Sequence, residues 1–326
     1  MKIAVIGSGG WGTAIAVLLA NKGNDVYLWS WIQEETDRLN SDRENKEFLP
    51  GIMLSENIIC THNMKECIDG AEVVVTAVPS PAMRTTAKQM SDYIADGQKV
   101  VNISKGLEGV LRLSQVLKEE MPKADISVLS GPSHAEEVSR NVPTTVVVAS
   151  DSLETAEFLQ DVFMTPSFRV YTSKDKIGVE LGGALKNVIA LCAGISDGLG
   201  YGDNTKAALI TRGIAEMSRL GVAMGAQIST FAGLSGLGDL IVTGTSTLSR
   251  NYRAGKLLGE GMALPEALEE IHMVVEGVNT ATAAYELGKK YGVTTRIIEQ
   301  PYNVLYNGEN PRDAVNALMT REKTSE

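Results

Sequence analysis

Apolar and polar positions alternate between two periods in the first half of the chain and settle into one in the second. The N-terminal "KIAVIG" is a short β-branched run, and "WGTAIAVLLANKG" follows with an apolar helical pattern that ends at Lys22-Gly23, a C-cap signal. "DVYLWS" is a second strand pattern. Further strands are expected near 72–80 ("EVVVTAVPS"), 99–106 ("KVVNISKG"), 126–132 ("ISVLSGP") and 144–150 ("TTVVVAS"), with helical segments between several of them. That alternation predicts a doubly wound α/β domain with a mostly parallel sheet. From about residue 174 the strand signals stop, and segments near 176–194, 204–225, 264–272, 277–291 and 311–319 carry helical periodicity. The expected organisation is an α/β domain over 1–175 that binds a dinucleotide, and an all-helical substrate and catalytic domain over 176–326. Between the later helices lie "SDGLGYGDN", "GLSGLGDL" and "GTSTLSRNYRAG", expected to be Gly-rich loops that serve a site. They carry Asp197, Asp203, Asp239, Ser249, Arg250 and Asn251, with Thr243 directly before the third.

The turn after the first strand reads "GSGGWG", a G-x-G-x-x-G at Gly7, Gly9 and Gly12. Alone the pattern is weak. Strand, glycines, helix and strand within 30 residues make it specific for a Rossmann-like nucleotide site. Gly7 permits the tight turn, Gly9 lets a pyrophosphate approach the backbone, and Gly12 lets the helix sit close to the strand. The helix N-terminus offers free N–H groups to phosphate. NAD sites of this type usually place an acid at the end of the second strand, for the ribose 2′-hydroxyl. Here Ser30-Trp31-Ile32 stand at that place, and the first acids are Glu34 and Glu35. No Arg for a 2′-phosphate is present either. The cofactor is therefore NAD or NADP, with a lean to NADP because nothing there repels it. In such sheets ligands sit at the carboxyl ends of strands, where Pro79, Lys105 and "GPSHAEE" (131–137) fall.

Composition narrows the partners. The chain has 326 residues, a net charge of −10 and 32 glycines. The acidic balance excludes generic nucleic-acid binding. It also means that an anionic substrate must be met by a few local cations. No run of 18 apolar residues appears, so no membrane span is expected. Cys60, Cys67 and Cys192 form no C-x-x-C pair and read as reduced thiols of a cytoplasmic protein. His62, His134 and His272 match no zinc spacing, and no metal site is expected.

One lysine stands out against its surroundings. In "VELGGALKNVIALCAG" (179–194) almost every residue is apolar or small, yet Lys186 and Asn187 sit in the middle. A buried unpaired charge is costly, and the ordinary escape is to snorkel the ammonium out to water. The rest of the chain points elsewhere. It resembles the bacterial NAD(P)-dependent glycerol-3-phosphate dehydrogenases nearly end to end. The resemblance is carried by "GSGGWGTA" (7–14), "ISKGLE" (103–108), "GPSHAEEV" (131–138), "GALKNVIA" (183–190), "NTKAALITRG" (204–213), "GLSGLGDLIVT" (233–243), "LSRNYRAG" (248–255) and "VVEGVNTA" (274–281), in that order and spacing. The resemblance implies that Lys186 is the catalytic proton donor and acceptor. It also implies that Lys105, Gly131, Ser133, Asp239, Ser249, Arg250 and Asn251 contact substrate. Asn187 beside the lysine and Thr243 at the end of "GLSGLGDLIVT" complete the expected substrate set. Gly10, Trp11, Trp31, Ile32, Ala135, Val274 and Glu276 match cofactor-contacting positions, beside Gly7, Gly9 and Gly12, with Lys105 and Arg250 near both ligands. The family often carries a basic residue just past the second strand. Trp31-Ile32 replace it, so both NADH and NADPH are expected to be used.

The implied reaction is the reversible reduction of dihydroxyacetone phosphate to glycerol 3-phosphate, a glycerophospholipid precursor. A ketone reduced by hydride becomes an alkoxide, which needs stabilisation and a proton. A lysine in a dry pocket supplies both, since burial lowers its pKa. Asp239 and Asn187 are expected to hold the Lys186 ammonium, and Arg250 to grip phosphate through two donors, with Lys105 as a second cation. Lys186→Met is expected to fold with little or no defect. His134 is the rival acid, or else a surface residue in a first helical turn with Ser133 as N-cap. Two other functions fit the plan: a dehydrogenase of 3-hydroxy acids or opine-type amino acids, and a non-enzymatic NAD(P)H sensor. A sensor has no use for Lys186, Asp239 and Arg250 together. The expected partner is a phosphorylated small molecule, and a homodimer is allowed.

Overall fold

The computed structural model describes residues 1–323. Its strands are β1 (Lys2–Ile6), β2 (Asp25–Trp29), β3 (Ile58–Thr61), β4 (Val73–Thr76), β5 (Lys99–Asn102), β6 (Leu107–Glu108), β7 (Leu111–Arg112), β8 (Asp125–Ser130), β9 (Thr144–Ala149) and β10 (Phe168–Ser173). Eight form one sheet in the order β10-β9-β8-β5-β4-β1-β2-β3, and β6 and β7 make a separate small hairpin. Only the β8–β9 pairing in the large sheet is antiparallel. The strand pattern on β1 shows why both faces are covered. Ile3 and Val5 enter one core with Ile15, Leu19 and Phe163, while Ala4 and Ile6 enter the other with Met83, Val116 and Leu117. Successive side chains point to opposite faces, so a strand apolar at every position is buried on both.

β3 and β10 were not legible as strands, and both are the edges of the sheet. Ile59 on β3 is exposed, as are Arg169 and Tyr171 on β10, so neither shows a continuous apolar run. Chain order reverses direction around β1, which lies between β2 and β4. In open α/β sheets the crevice at the carboxyl ends there is the place for a ligand.

The helices are α1 (Gly10–Asn21), α2 (Gln33–Asp42), α3 (Met64–Ile68), α4 (Met83–Ser91), α5 (Leu113–Glu120), α6 (Ala135–Val138), α7 (Leu153–Phe163), α8 (Lys176–Gly198), α9 (Asp203–Ala223), α10 (Ile228–Phe231), α11 (Asp239–Thr245), α12 (Arg250–Gly259), α13 (Leu264–Ile271), α14 (Glu276–Tyr291), α15 (Arg296–Tyr306) and α16 (Pro311–Met319). A π-helical turn, Leu234–Gly238, leads into α11. The chain forms two compact units, Met1–Glu180 and Leu181–Glu326, with the division inside α8. α8 is long and apolar enough to cross a membrane, but 89% of its most apolar window is buried inside the protein, as in a core helix.

Two stretches expected to be loops are helical. "GLSGLGDL" holds the π turn and the start of α11, and "SRNYRAG" is mostly α12. Glycine has poor helix propensity, but here it serves packing. A Cβ on Gly194 would lie 2.0 Å from the Tyr252 carbonyl oxygen, and one on Gly255 would lie 2.1 Å from that of Leu191. Gly198 and Gly259, one turn further along each helix, are equally tight, with carbonyl oxygens at 2.2 and 2.3 Å. Two facing stripes of glycine therefore bring the α8 and α12 backbones together, and Leu191, Ile195, Ala254 and Leu258 close a core around the crossing.

Candidate active site

In the first unit the β1–α1 turn is built for close approach. Gly7 has φ +115°, a conformation that favours glycine, and a Cβ there would strike the Ala77 backbone at 2.9 Å. A Cβ on Gly12 would sit 1.9 Å from the Gly7 carbonyl oxygen, so only glycine lets α1 start this near β1. Gly9 differs: nothing lies within 4 Å of where its Cβ would be, and no side chain caps the helix there. At Gly9 the turn thus leaves room for a pyrophosphate to approach the uncapped N-terminus of α1. The Ser8 carbonyl is fixed by Thr13 Oγ1 at 3.0 Å and by buried Asn45 Nδ2 at 2.7 Å. Asn45 has no sequence signal, since its role depends on a distant loop returning to the turn.

The sequence reading finds no acid at the end of β2 and names Glu34 and Glu35 as the first ones past it; the structure brings Glu35 back to that end. Ser30 Oγ donates to Glu35 Oε2 at 2.5 Å, and Ser8 Oγ donates to Glu35 Oε1 at 2.8 Å. α2 therefore folds a carboxylate back onto the glycine turn. Trp31 and Ile32 are both exposed beside it.

Lys105, Gly131 and Ser133 come together at the ends of the neighbouring strands β5 and β8. Lys105 Nζ donates to the Gly131 carbonyl oxygen at 2.8 Å and to Ser133 Oγ at 3.4 Å. The segment bearing Lys105 is held by Ser104 Oγ, which donates to the Val78 carbonyl oxygen at 2.6 Å. Trp11 Nε1 donates to the Ile103 carbonyl oxygen, tying the α1 turn to the same segment. Ala135 opens α6, whose N-cap is His134 rather than Ser133, and no side chain caps that helix. Ser133 Oγ instead donates to the Gly131 carbonyl oxygen.

In the second unit Lys186 does not snorkel. It is 5% exposed, and its Nζ donates to Asp239 Oδ1 at 2.5 Å and to Thr243 Oγ1 at 2.6 Å. Asp239 is 1% exposed. Thr243 Oγ1 donates in turn to the Asp239 backbone carbonyl one helical turn back, at 2.6 Å. Asp239 and Thr243 face Lys186 together because they sit four residues apart on α11. The π turn sets where α11 begins. Its Ser235 carbonyl presses on α8, where a Cβ on Gly182 would meet it at 2.5 Å. π turns often occur at functional sites.

Asn187 is engaged with α12. Asn251 Nδ2 donates to Asn187 Oδ1 at 2.9 Å, and Asn251 Oδ1 accepts from the Gly277 N–H at 2.7 Å. This amide chain links α8, α12 and α14. It places Arg250 and its N-cap Ser249 at the start of α12, and Glu276 at the start of α14 with exposed Val274 just before it. Burial pushes the Cys60 thiol up to about 11, Cys67 up to about 12, and Cys192 higher still with help from the charge of Glu216, which disfavours thiolate at all three. Among the described residues no cluster of His, Cys, Asp or Glu could hold a metal ion.

The fold and these two clusters define a nicotinamide-dinucleotide-dependent oxidoreductase of the two-domain type. Residues 2–156 match the model of the NAD-dependent glycerol-3-phosphate dehydrogenase N-terminus, and residues 175–316 match that of its C-terminus. A glycerol-3-phosphate dehydrogenase [NAD(P)+] of Fusobacterium nucleatum is 54% identical, the alignment covering 100% of this chain and 98% of that protein. One from Moorella thermoacetica is 56% identical, covering 100% and 97%. The crystal structure of glycerol-3-phosphate dehydrogenase from Coxiella burnetii superposes with a TM-score of 0.95 at 37% identity, covering 98% of this chain and 99% of that one. The chain belongs to the NAD-dependent glycerol-3-phosphate dehydrogenase family.

Proposed function

We propose that the protein interconverts dihydroxyacetone phosphate and glycerol 3-phosphate with NAD(H) or NADP(H), and that Lys186 is its general acid and base. The observation that carries this reading is the buried Lys186–Asp239–Thr243 arrangement within a chain of this family. A reduced nicotinamide supplies hydride to the carbonyl carbon when bound. Lys186 Nζ donates a proton to the carbonyl oxygen as negative charge develops there, and takes it back in the oxidation direction. Asp239 holds the ammonium and keeps its charge compensated in a dry setting, and Thr243 fixes the direction of one N–H. Arg250, on the first turn of α12, grips the phosphate through its planar fork. Asn187 and Asn251 hold their side chains to the substrate hydroxyl and phosphate ends through the amide chain. The Gly7–Gly12 turn receives the cofactor pyrophosphate. Three free thiols suit a reducing cytoplasm.

The test is an assay of purified protein with NADH or NADPH and a panel of ketones: dihydroxyacetone phosphate, unphosphorylated dihydroxyacetone, and 2- and 3-oxo acids. Ketone-dependent loss of reduced-nicotinamide absorbance is expected with the phosphorylated triose alone. Turnover of an oxo acid in its place would overturn the substrate assignment.

A further inference from the structure

We infer that Glu35 makes this a dehydrogenase that binds NADH in preference to NADPH, a reading that rests on the dinucleotide site proposed above. The carboxylate is held from two sides, by Ser8 inside the glycine turn and by Ser30 directly after β2. Ser30 is 1% exposed and Ser8 6%, so the two hydroxyls are fixed points of the fold, and they aim Glu35 at the end of β2. In this fold that place receives the adenosine ribose. A carboxylate offers about four lone-pair positions and two are taken, which leaves acceptors for a ribose diol. A ribose 2′-hydroxyl brings a donor to them. A 2′-phosphate brings negative charge and acceptors, and like charges at close quarters repel.

The surroundings reinforce the discrimination. Residues 33–47 hold six acids (Glu34, Glu35, Asp37, Asp42, Glu44, Glu47) against three bases (Arg38, Arg43, Lys46). Arg43 is engaged with the backbone carbonyls of Leu54, Ser55 and Ile58 and Lys46 pairs with Asp42 at 2.9 Å, while exposed Arg38 faces Glu47 at 3.5 Å. The His62 ring meets the Ser30 carbonyl oxygen. The residues directly past β2, Trp31 and Ile32, carry no charge. Glu35 thus supplies the acid from the first turn of α2 instead of from the strand itself, which is why a search at the strand end does not find it.

Binding without turnover tests this. Wild type and Glu35→Gln are titrated with NADH and NADPH at low salt by fluorescence or calorimetry, and wild type also with ADP-ribose and 2′-phospho-ADP-ribose. Wild type is expected to bind NADH at least about tenfold more tightly than NADPH, with the same order for the two fragments. Gln keeps an acceptor for the serines, so the variant is expected to fold with its melting temperature close to wild type. It should narrow the ratio to within about threefold by strengthening NADPH and weakening NADH. Equal binding of both dinucleotides by wild type, a preference for NADPH, or a variant that weakens both alike would each overturn the inference. The last of these would leave Glu35 a structural brace. Failure of wild type to bind either dinucleotide would instead overturn the dinucleotide reading beneath it.

Discussion

Lys186 and Asp239 are a buried ion pair, and removing one member of such a pair leaves the other uncompensated at a cost of about 3–5 kcal/mol. That changes what Lys186→Met does. From sequence the variant was expected to fold nearly unperturbed, because Met matches the lysine in length. With Asp239 1% exposed and its carboxylate on Lys186, the single variant is expected to be clearly destabilised as well as slowed by about 100-fold or more. The double variant Lys186→Met/Asp239→Asn removes both charges, and should regain most of the stability and none of the rate. Urea unfolding and steady-state kinetics on the two variants decide it. A single variant as stable as wild type would show that the pair is not the closed contact seen here, and a near-normal rate would return the acid's role to His134. Lys186 was legible because it interrupts an apolar helix. Its partner was not legible from pattern, since Asp239 lies 53 residues away. The Gly-rich stretch marked Asp239 as a site residue, and the pairing with Lys186 was an expectation that pattern alone did not fix. Glu35 was passed over because its meaning depends on where α2 turns its first residues.

Elements hidden from sequence were those whose local signals served tertiary packing. α12 looked like a Gly-rich loop, yet Gly255 and Gly259 face Gly194 and Gly198 across a backbone-to-backbone crossing. Gly255→Ala would drive a Cβ to 2.1 Å from the Leu191 carbonyl oxygen, which a helix cannot yield by a rotamer change. About 1–3 kcal/mol of destabilisation is expected, with a raised KM for the phosphorylated ketone because α12 carries Arg250 at its start. Wild-type stability in a thermal melt would show that the crossing has slack. α15 was missed for a different reason: Pro301 interrupts its interior, and its N-terminus is capped from a distance. Glu216 on α9, 4% exposed, accepts from the Ile297 and Ile298 N–H groups at 2.9 and 3.2 Å, and no side chain of α15's own N-cap does so. Burial raises the Glu216 carboxyl above the ordinary carboxylate range, and the two N–H groups oppose that only in part. A raised folded-state value means the native state holds its proton more tightly than the unfolded chain does. The associated stability is complete below the unfolded carboxylate pKa, about 4.3, and is lost as pH rises through the folded value. Glu216→Gln keeps an acceptor and cannot ionise. Relative to wild type it should therefore gain stability as pH is raised from about 4 towards neutrality, and denaturant unfolding at several pH values that gives a constant difference would refute this.

At the scale of the molecule, the alternation of strands and helices was enough for the doubly wound sheet and the helical second half, because both follow from periods that single residues cannot disguise. The distribution of chemistry followed less directly. The glycine turn, Glu35 and Lys105 all lie within Met1–Glu180, and Lys186, Asp239, Thr243 and Arg250 all lie within Leu181–Glu326. Each unit has its own core, so each ligand should leave its mark chiefly where its anchoring groups are. An acidic protein with net charge −10 that takes two anionic ligands must hold each through local groups, since its overall field opposes both. Hydrogen exchange separates the two. NADH alone is expected to slow exchange at the first turn of α1 and along α2, where the uncapped helix start and Glu35 are proposed to receive it. Glycerol 3-phosphate alone is expected to slow exchange at α11 and the start of α12, where Asp239, Thr243 and Arg250 sit. The binding free energy raises the cost of every opening that releases the ligand, so at saturating concentration (about 100 times Kd) the protection should approach 100-fold at those amides. If NADH instead protected α11 and α12 while leaving α1 unchanged, the glycine turn would not be the phosphate site, and the division of labour argued here would be reversed.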